Sequence, residues 1–257
     1  SSIDLYYYNH MSKALVILSG GMDSSILLHY VTKKLNYDEV YAITFNYGQR
    51  IIREIDCAKY QVDACKVKEH KIVDMDFFRS ISTMSALTNT NLNIPKAKDD
   101  IGNAQPLSYV PFRNLLLLTT AAGWAESVGA SDLFYGAVQT DDFSGYWDCT
   151  SLFLNKVNEL YSLNRKNVIK VNAPFMQFSK EEVVTTGIEL GINFKQTHTC
   201  YEGKEVACGE CVSCSARLKA FIDNKIIDPI PYAKEVPWSK YDCKPYTKST
   251  YVRNSGQ

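Results

Sequence analysis

Two clusters of residues in the sequence are of types and spacings that suit chemistry. The first is Ser19-Gly20-Gly21-Met22-Asp23-Ser24-Ser25, set between an apolar run from Ala14 to Leu18 and a second one at Ile26 to Leu28. Small residues let a backbone approach an anion closely, and a helix starting here would add free N–H groups and a dipole that favour negative charge. The hydroxyls of Ser19, Ser24 and Ser25 add donors, while Asp23 offers a carboxylate that either places a metal ion or shapes the loop. An ordinary glycine turn with an Asp or Ser cap is the plainer alternative. The run is not the GxxxxGK[ST] phosphate loop, because no Lys follows the second Gly.

The second cluster is Cys200, Cys208, Cys211 and Cys214, a CX7CX2CX2C array with Gly209 at the knuckle. Four thiolates at this spacing can close on one tetrahedral zinc ion at about 2.3 Å each. Disulfides, an iron–sulfur cluster and a redox CxxC pair are the alternatives. A closed four-cysteine site leaves no open position for substrate. The expected role is therefore structural, pinning the turn before a helix from about Ser215 to Ile227. His198 could replace one ligand, but a hydrogen-bonding role is the preferred reading. His10, His29 and His70 stand alone, and Cys57, Cys65, Cys149 and Cys243 read as small buried hydrophobes.

The elements that must hold these clusters follow from the hydrophobic pattern. Strands are expected at Ala14–Leu18, Val40–Phe45, Lys71–Met75, Asp132–Val138 and Val168–Val171. Helices are expected after the glycine turn and at Arg53–Cys65, Arg113–Val128, Ser151–Ser162 and Ser179–Leu190. This alternation predicts an α/β fold, a Rossmann-like, mostly parallel sheet flanked by helices, with a C-terminal helical zinc-binding region. Between Ser80 and Pro106 the periodicity fades into polar residues, and that stretch is the expected lid. The expected organisation is a leader or flexible extension at 1–10, an α/β domain carrying the glycine turn at 11–195 and a zinc-binding region at 196–257.

Composition narrows the function classes. With 28 basic residues against 28 acidic ones, the chain has no net charge with which to capture nucleic acid non-specifically. No apolar run approaches the roughly 20 residues that cross a bilayer. Ser1 to His10 lack the charged start and apolar core of a secretory signal, so the eight cysteines are read as thiols of a reducing, cytoplasmic compartment.

SGGMDSS resembles the motif of the ATP pyrophosphatase (PP-loop) superfamily, whose members split ATP between its α and β phosphates to adenylate a substrate oxygen. Taken with the cysteine array and with FNYGQR at 45–50, VPFRN at 110–114, FSGYWDC at 143–149, Pro174 with the Ser179–Glu182 run, and the stretch from Thr199 to Phe221, the chain resembles the queuosine-pathway QueC family over most of residues 14 to 230. The resemblance implies the adenine nucleotide alpha hydrolase-like fold. It also implies conversion of 7-carboxy-7-deazaguanine, ammonia and ATP with Mg²⁺ into the nitrile through adenylated intermediates, by a homodimer needing no direct nucleic-acid contact. By position, Ser19, Gly20, Gly21, Asp23, Ser24, Ser25, Tyr47, Gly48 and Gln49 would hold ATP. Arg113, Asn114, Asp142, Ser144 and Tyr146 would bind substrate, and Asp23, Arg113 and Lys180 would serve catalysis.

Read without the family, Arg113 could equally be a surface charge, and Lys180 could simply decorate a helix start capped by Ser179. Two stretches depart from the pattern the resemblance implies: Phe112 stands where a Gly usually precedes the Arg, and Trp147-Asp148-Cys149-Thr150 stands in place of PDCR. Both fall near the expected substrate pocket, which leaves open an enzyme that stops at the amide. An RNA-thiolating PP-loop enzyme, with a cysteine as sulfur carrier, is the other enzymatic alternative. A nucleic-acid binding module with a decayed loop is the non-enzymatic one.

Overall fold

A computed structural model describes residues 11–47, 52–82, 85, 87, 91–94, 96, 109–138 and 147–247. Five parallel strands form the central sheet: β1 (Lys13–Ile17), β2 (Glu39–Asn46), β3 (Glu69–Asp74), β4 (Asp132–Phe134) and β5 (Lys170–Asn172), in the order β3-β2-β1-β4-β5. The α/β expectation is met. β1 pairs with β2 on one side and β4 on the other, so the chain reverses direction across the sheet at the C-terminal end of β1. Ligands bind at such a switch point in open α/β sheets.

The alternation of β1 sorts the two cores. Ala14, Val16 and Leu18 face α1 (Met22–Lys34) and α6 (Lys180–Glu189) in one buried cluster. Leu15 faces the other way, into a cluster built on α4 (Arg113–Val128) and α5 (Ser151–Tyr161). Side chains of period two thus bury the central strand on both faces. α2 (Ile52–Cys65) covers the β2 side, and a short α3 (Asp76–Ile81) follows β3.

Several boundaries differ from expectation. β4 ends at Phe134 rather than Val138, because residues 135–138 leave the sheet to line a cavity. β3 begins at Glu69 rather than Lys71: it is a mostly exposed edge strand, so its start carries no apolar marker. β5 is displaced to 170–172. The C-terminal helix α7 spans Val212–Asp223 rather than 215–227, because Cys211 caps it: the Cys214 N–H donates to its Sγ at 3.4 Å. Much of the expected lid lies outside the described residues, although Leu87 reaches the cavity wall.

α7 and β6 (Ile226–Ile227), which pairs with β7 (Lys244–Pro245), are tied to the preceding segment by a buried ion pair. Arg217 and Asp228 are both wholly buried, bonded bidentately through Nε (2.6 Å) and Nη2 (2.9 Å). The remaining guanidinium donors reach Thr197 Oγ1 (2.8 Å), Thr199 Oγ1 (2.9 Å) and the Phe194 carbonyl (3.3 Å). Asp228 also accepts from the Tyr232 hydroxyl at 2.7 Å. Both ions are fully satisfied, and the pair fixes the path of residues 194–199. Arg217→Met strands the buried carboxylate and is expected to cost about 3–5 kcal/mol of stability, read from urea unfolding.

Candidate functional site

One cavity of about 350 Å³ opens at the switch point. Its walls come from the loop after β1, the end of β2, the start of α2, the start of α4, residues 135–138 and residues 198–201. Ser19, Gly21, Asp23, Ser24, Tyr47, Arg113, Asn114 and Lys180, all expected from sequence, line it together. Ser25 is fully buried behind the loop with an unpartnered Oγ. Gly48, Gln49, Asp142, Ser144 and Tyr146 lie outside the described residues.

The loop is shaped by its own hydroxyls. Ser24 Oγ accepts from the Ser19 N–H (3.1 Å) and lies 2.9 Å from Ser19 Oγ, which accepts from the Gly21 N–H at 3.1 Å. No side chain caps α1, so the N–H groups of its first turn point at the cavity with the positive end of the dipole. Gly20 has φ +88°, and a Cβ there would stand 1.8 Å from the Glu54 carbonyl oxygen. Its own carbonyl accepts the His198 N–H at 3.0 Å. The Asp23 carboxylate is paired with Lys180 through Oδ2, and its Oδ1 is buried without a partner. Lys180 therefore does more than decorate a helix start, although Ser179 does cap that helix as expected, in a capping box completed by Glu182.

Arg113 faces the cavity, which corrects its reading as a surface charge. Phe112, at φ +54°, turns the chain into α4 but supplies no cap. Asp148 substitutes for the cap: its Oδ2 accepts the Asn114 N–H at 3.3 Å, and Asn114 Nδ2 donates to Cys149 Sγ at 3.3 Å. Burial raises the Asp148 carboxyl and pushes the Cys149 thiol to about 11. Cys149 lines the cavity and is no mere core filler. The two departures touch each other: the Phe112 and Trp147 rings meet edge to face at 5.3 Å, and Trp147 Nε1 donates to Tyr109 Oη at 2.8 Å. Neither ring is among the cavity walls. Thr150 caps α5 by accepting the Phe153 N–H at 3.1 Å.

Besides Cys149, sequence reasoning missed other residues in the walls, among them Glu54, Tyr135 and His198. Glu54 enters from the first turn of α2, and burial pushes its carboxyl up to about 8 against the opposing pull of Arg113. Tyr135 presents a buried hydroxyl without a partner. His198 is not one of the clustered sulfur-site residues; its Nε2 donates to the Cys200 carbonyl at 2.9 Å. Only the hydrogen-bonding reading of His198 pointed in this direction, and no motif marked the other two.

Cys200, Cys208, Cys211 and Cys214 bring their sulfurs within 4.8 Å of one another. The Cys208 and Cys214 sulfurs are 3.9 Å apart, close to the edge of about 3.8 Å of a tetrahedron with 2.3 Å metal–sulfur bonds. Backbone N–H groups of Cys208, Glu210 and Cys211 point at these sulfurs at 3.3–3.4 Å, which favours thiolates. Hydrogen bonds from Cys200 and Cys214 pull the Cys211 thiol down, and Cys200 and Cys211 in turn push Cys214 up. Four sulfurs this close cannot all ionise without a cation, so the donor set fits a metal ion. Cys200 also borders the cavity, so the cysteine cluster and the cavity share a wall.

The family model described as queuosine biosynthesis protein QueC matches residues 13–225. The chain belongs to the QueC family. Among its relatives is the 7-cyano-7-deazaguanine synthase of Clostridium kluyveri, 38% identical over 231 residues, covering 88% of this chain and 100% of that protein. The protein of the same name from Rickettsia felis is 39% identical over 228 residues, covering 86% and 100%. That of Acidobacterium capsulatum is 42% identical over 226 residues, covering 86% and 96%. Among the described residues no helix is long and apolar enough to cross a membrane.

Because the sulfurs compensate one another only through a shared cation, Cys208→Ser and Cys211→Ser are each expected to lose most of the bound metal, measured by elemental emission. Each should also lower Tm by several degrees.

Proposed function

We propose that the chain is an ATP-dependent 7-cyano-7-deazaguanine synthase, joining ammonia to 7-carboxy-7-deazaguanine and dehydrating the amide to the nitrile. The observation that carries this is the loop after β1: its uncapped helix start, Ser19, Ser24 and the Asp23–Lys180 pair share one cavity with Arg113, in a chain that spans nearly the full length of relatives bearing that name.

In this reading Ser19, Gly20, Gly21 and Ser24 hold the β and γ phosphates as the leaving pyrophosphate, Ser25 supports the loop from behind, and Tyr47, Gly48 and Gln49 border the nucleotide. A substrate oxygen attacks the α phosphorus, and AMP then makes that oxygen a good leaving group in both halves of the reaction. Magnesium arriving with ATP spreads the phosphate charge, and Asp23, with its unpartnered Oδ1, is the residue that would hold it. Lys180 orients Asp23 and adds positive charge near the phosphates. Arg113 and Asn114 receive the substrate carboxylate, with Asp142, Ser144 and Tyr146 reading the deazaguanine edge and ring. Residues 11–195 form the ATP-binding unit and 196–257 the metal-binding region. That metal is zinc, held by four thiolates as a structural ion. The working unit is a homodimer in the cytoplasm, with small-molecule substrates and no nucleic acid.

The departures at Phe112 and Trp147 lie off the cavity walls, so they give no reason to expect the reaction to stop at the amide. Mass analysis of a reaction holding enzyme, ATP, Mg²⁺, ammonium and 7-carboxy-7-deazaguanine is expected to show AMP, pyrophosphate and the nitrile. Amide as the final product would contradict the second half, and ADP would contradict the loop assignment. Lys180→Met is expected to lower kcat by about 100-fold.

A further inference from the structure

The geometry points to Glu54 as the group that takes protons from the substrate nitrogen in both halves of the reaction, an assignment that rests on the synthase reading above. Two carboxylates line the cavity among its described residues, Asp23 and Glu54. Asp23 is engaged by Lys180. No hydrogen bond or ion pair holds the Glu54 carboxyl among the described residues, while its backbone is pressed against Gly20 and fixes the start of α2 beside the phosphate loop. Arg113 from α4 and Tyr47 from the end of β2 face it, and Cys57 lies one turn along its own helix.

The chemistry requires such a group. When ammonia adds to the acyl adenylate, a C–N bond forms, the C–O bond to AMP breaks with its electron pair, and nitrogen gives up one proton. In the second half the amide oxygen displaces pyrophosphate from the α phosphorus. Nitrogen then loses two protons as the C–O bond breaks, AMP departs and the C≡N bond forms. Three protons thus leave nitrogen, and the other cavity groups are poorly placed to take them. Lys180 is committed to Asp23, His198 is anchored by its Nε2–H to the Cys200 carbonyl with only Nδ1 left to accept, and burial keeps the Tyr135 hydroxyl and the Cys149 thiol protonated. With Arg113 on the substrate oxygen, a carboxylate set against that guanidinium suits the nitrogen. Burial lifts the Glu54 carboxyl to about 8, which makes it a stronger base than an ordinary carboxylate and lets it shed each proton near neutral pH.

The test separates partial reactions in the full-length enzyme. ATP–pyrophosphate exchange driven by 7-carboxy-7-deazaguanine without ammonia involves no nitrogen proton, so Glu54→Gln should keep it within about 3-fold while nitrile formation from the amide and ATP falls about 100-fold or more. Glu54→Asp should recover about 10-fold of that loss. At constant free ammonia the wild-type rate of amide formation should rise with pH toward about 8, as the carboxyl ionises, and Glu54→Gln should lack that rise. Nitrile formation at the wild-type rate in Glu54→Gln would overturn the assignment. So would parallel loss of exchange and nitrile, which would make Glu54 part of the phosphate site. Absence of exchange in the wild-type enzyme would instead remove the synthase reading, and this assignment with it.

Discussion

The site depends on how closely neighbouring backbone packs around the turn at Gly20. Its positive φ turns the chain out of β1, its carbonyl accepts the His198 N–H, and the Glu54 carbonyl occupies the space a side chain would need. On the far side, Gly136 comes so near that a Cβ there would stand 3.4 Å from the Ser24 nitrogen. The turn after β1 is thus enclosed by main chain at residue 136, from α2 and from the 197–200 segment. Backbone contacts of this kind leave the helix N-terminus bare and its N–H groups directed at a ligand.

The metal cluster and the Arg217–Asp228 pair belong to the same device. Residues 197–200 carry the Gly20 contact at His198, a ligand at Cys200, and hydroxyls at Thr197 and Thr199 that accept from Arg217. The four-cysteine cluster therefore meets the cavity wall at Cys200 itself and lies two residues from the His198 contact that closes the loop. Opposite, the start of α4 is locked by Asp148 and by the Phe112–Trp147 contact, which aims Arg113 inward. The left-handed Phe112 is strained relative to glycine, and its ring packing against Trp147 offsets part of that cost.

Much of this was legible from the chain. The SGGMDSS turn, the parallel sheet and the four-cysteine cluster follow from residue types and spacing, because small residues, periodic burial and thiol ligands leave local marks. Contacts made over long sequence separation leave none. Glu54 reads as one more polar residue of an amphipathic helix, and only the fold carries it to Gly20. Tyr135 was assigned to a strand that ends one residue before it. Cys149 looked like a scattered hydrophobe because its partner, Asn114, is 35 residues away. The start of α7 was missed because a cysteine caps it in place of Ser, Thr or Asp.

Calorimetric titration of the Gly20→Ala protein with an unhydrolysable ATP analogue, beside a thermal melt, tests the central constraint most directly. A methyl group driven into the Glu54 carbonyl must open the turn, so the account predicts at least about 10-fold weaker binding and a lower Tm. Wild-type affinity together with an unchanged Tm would contradict it.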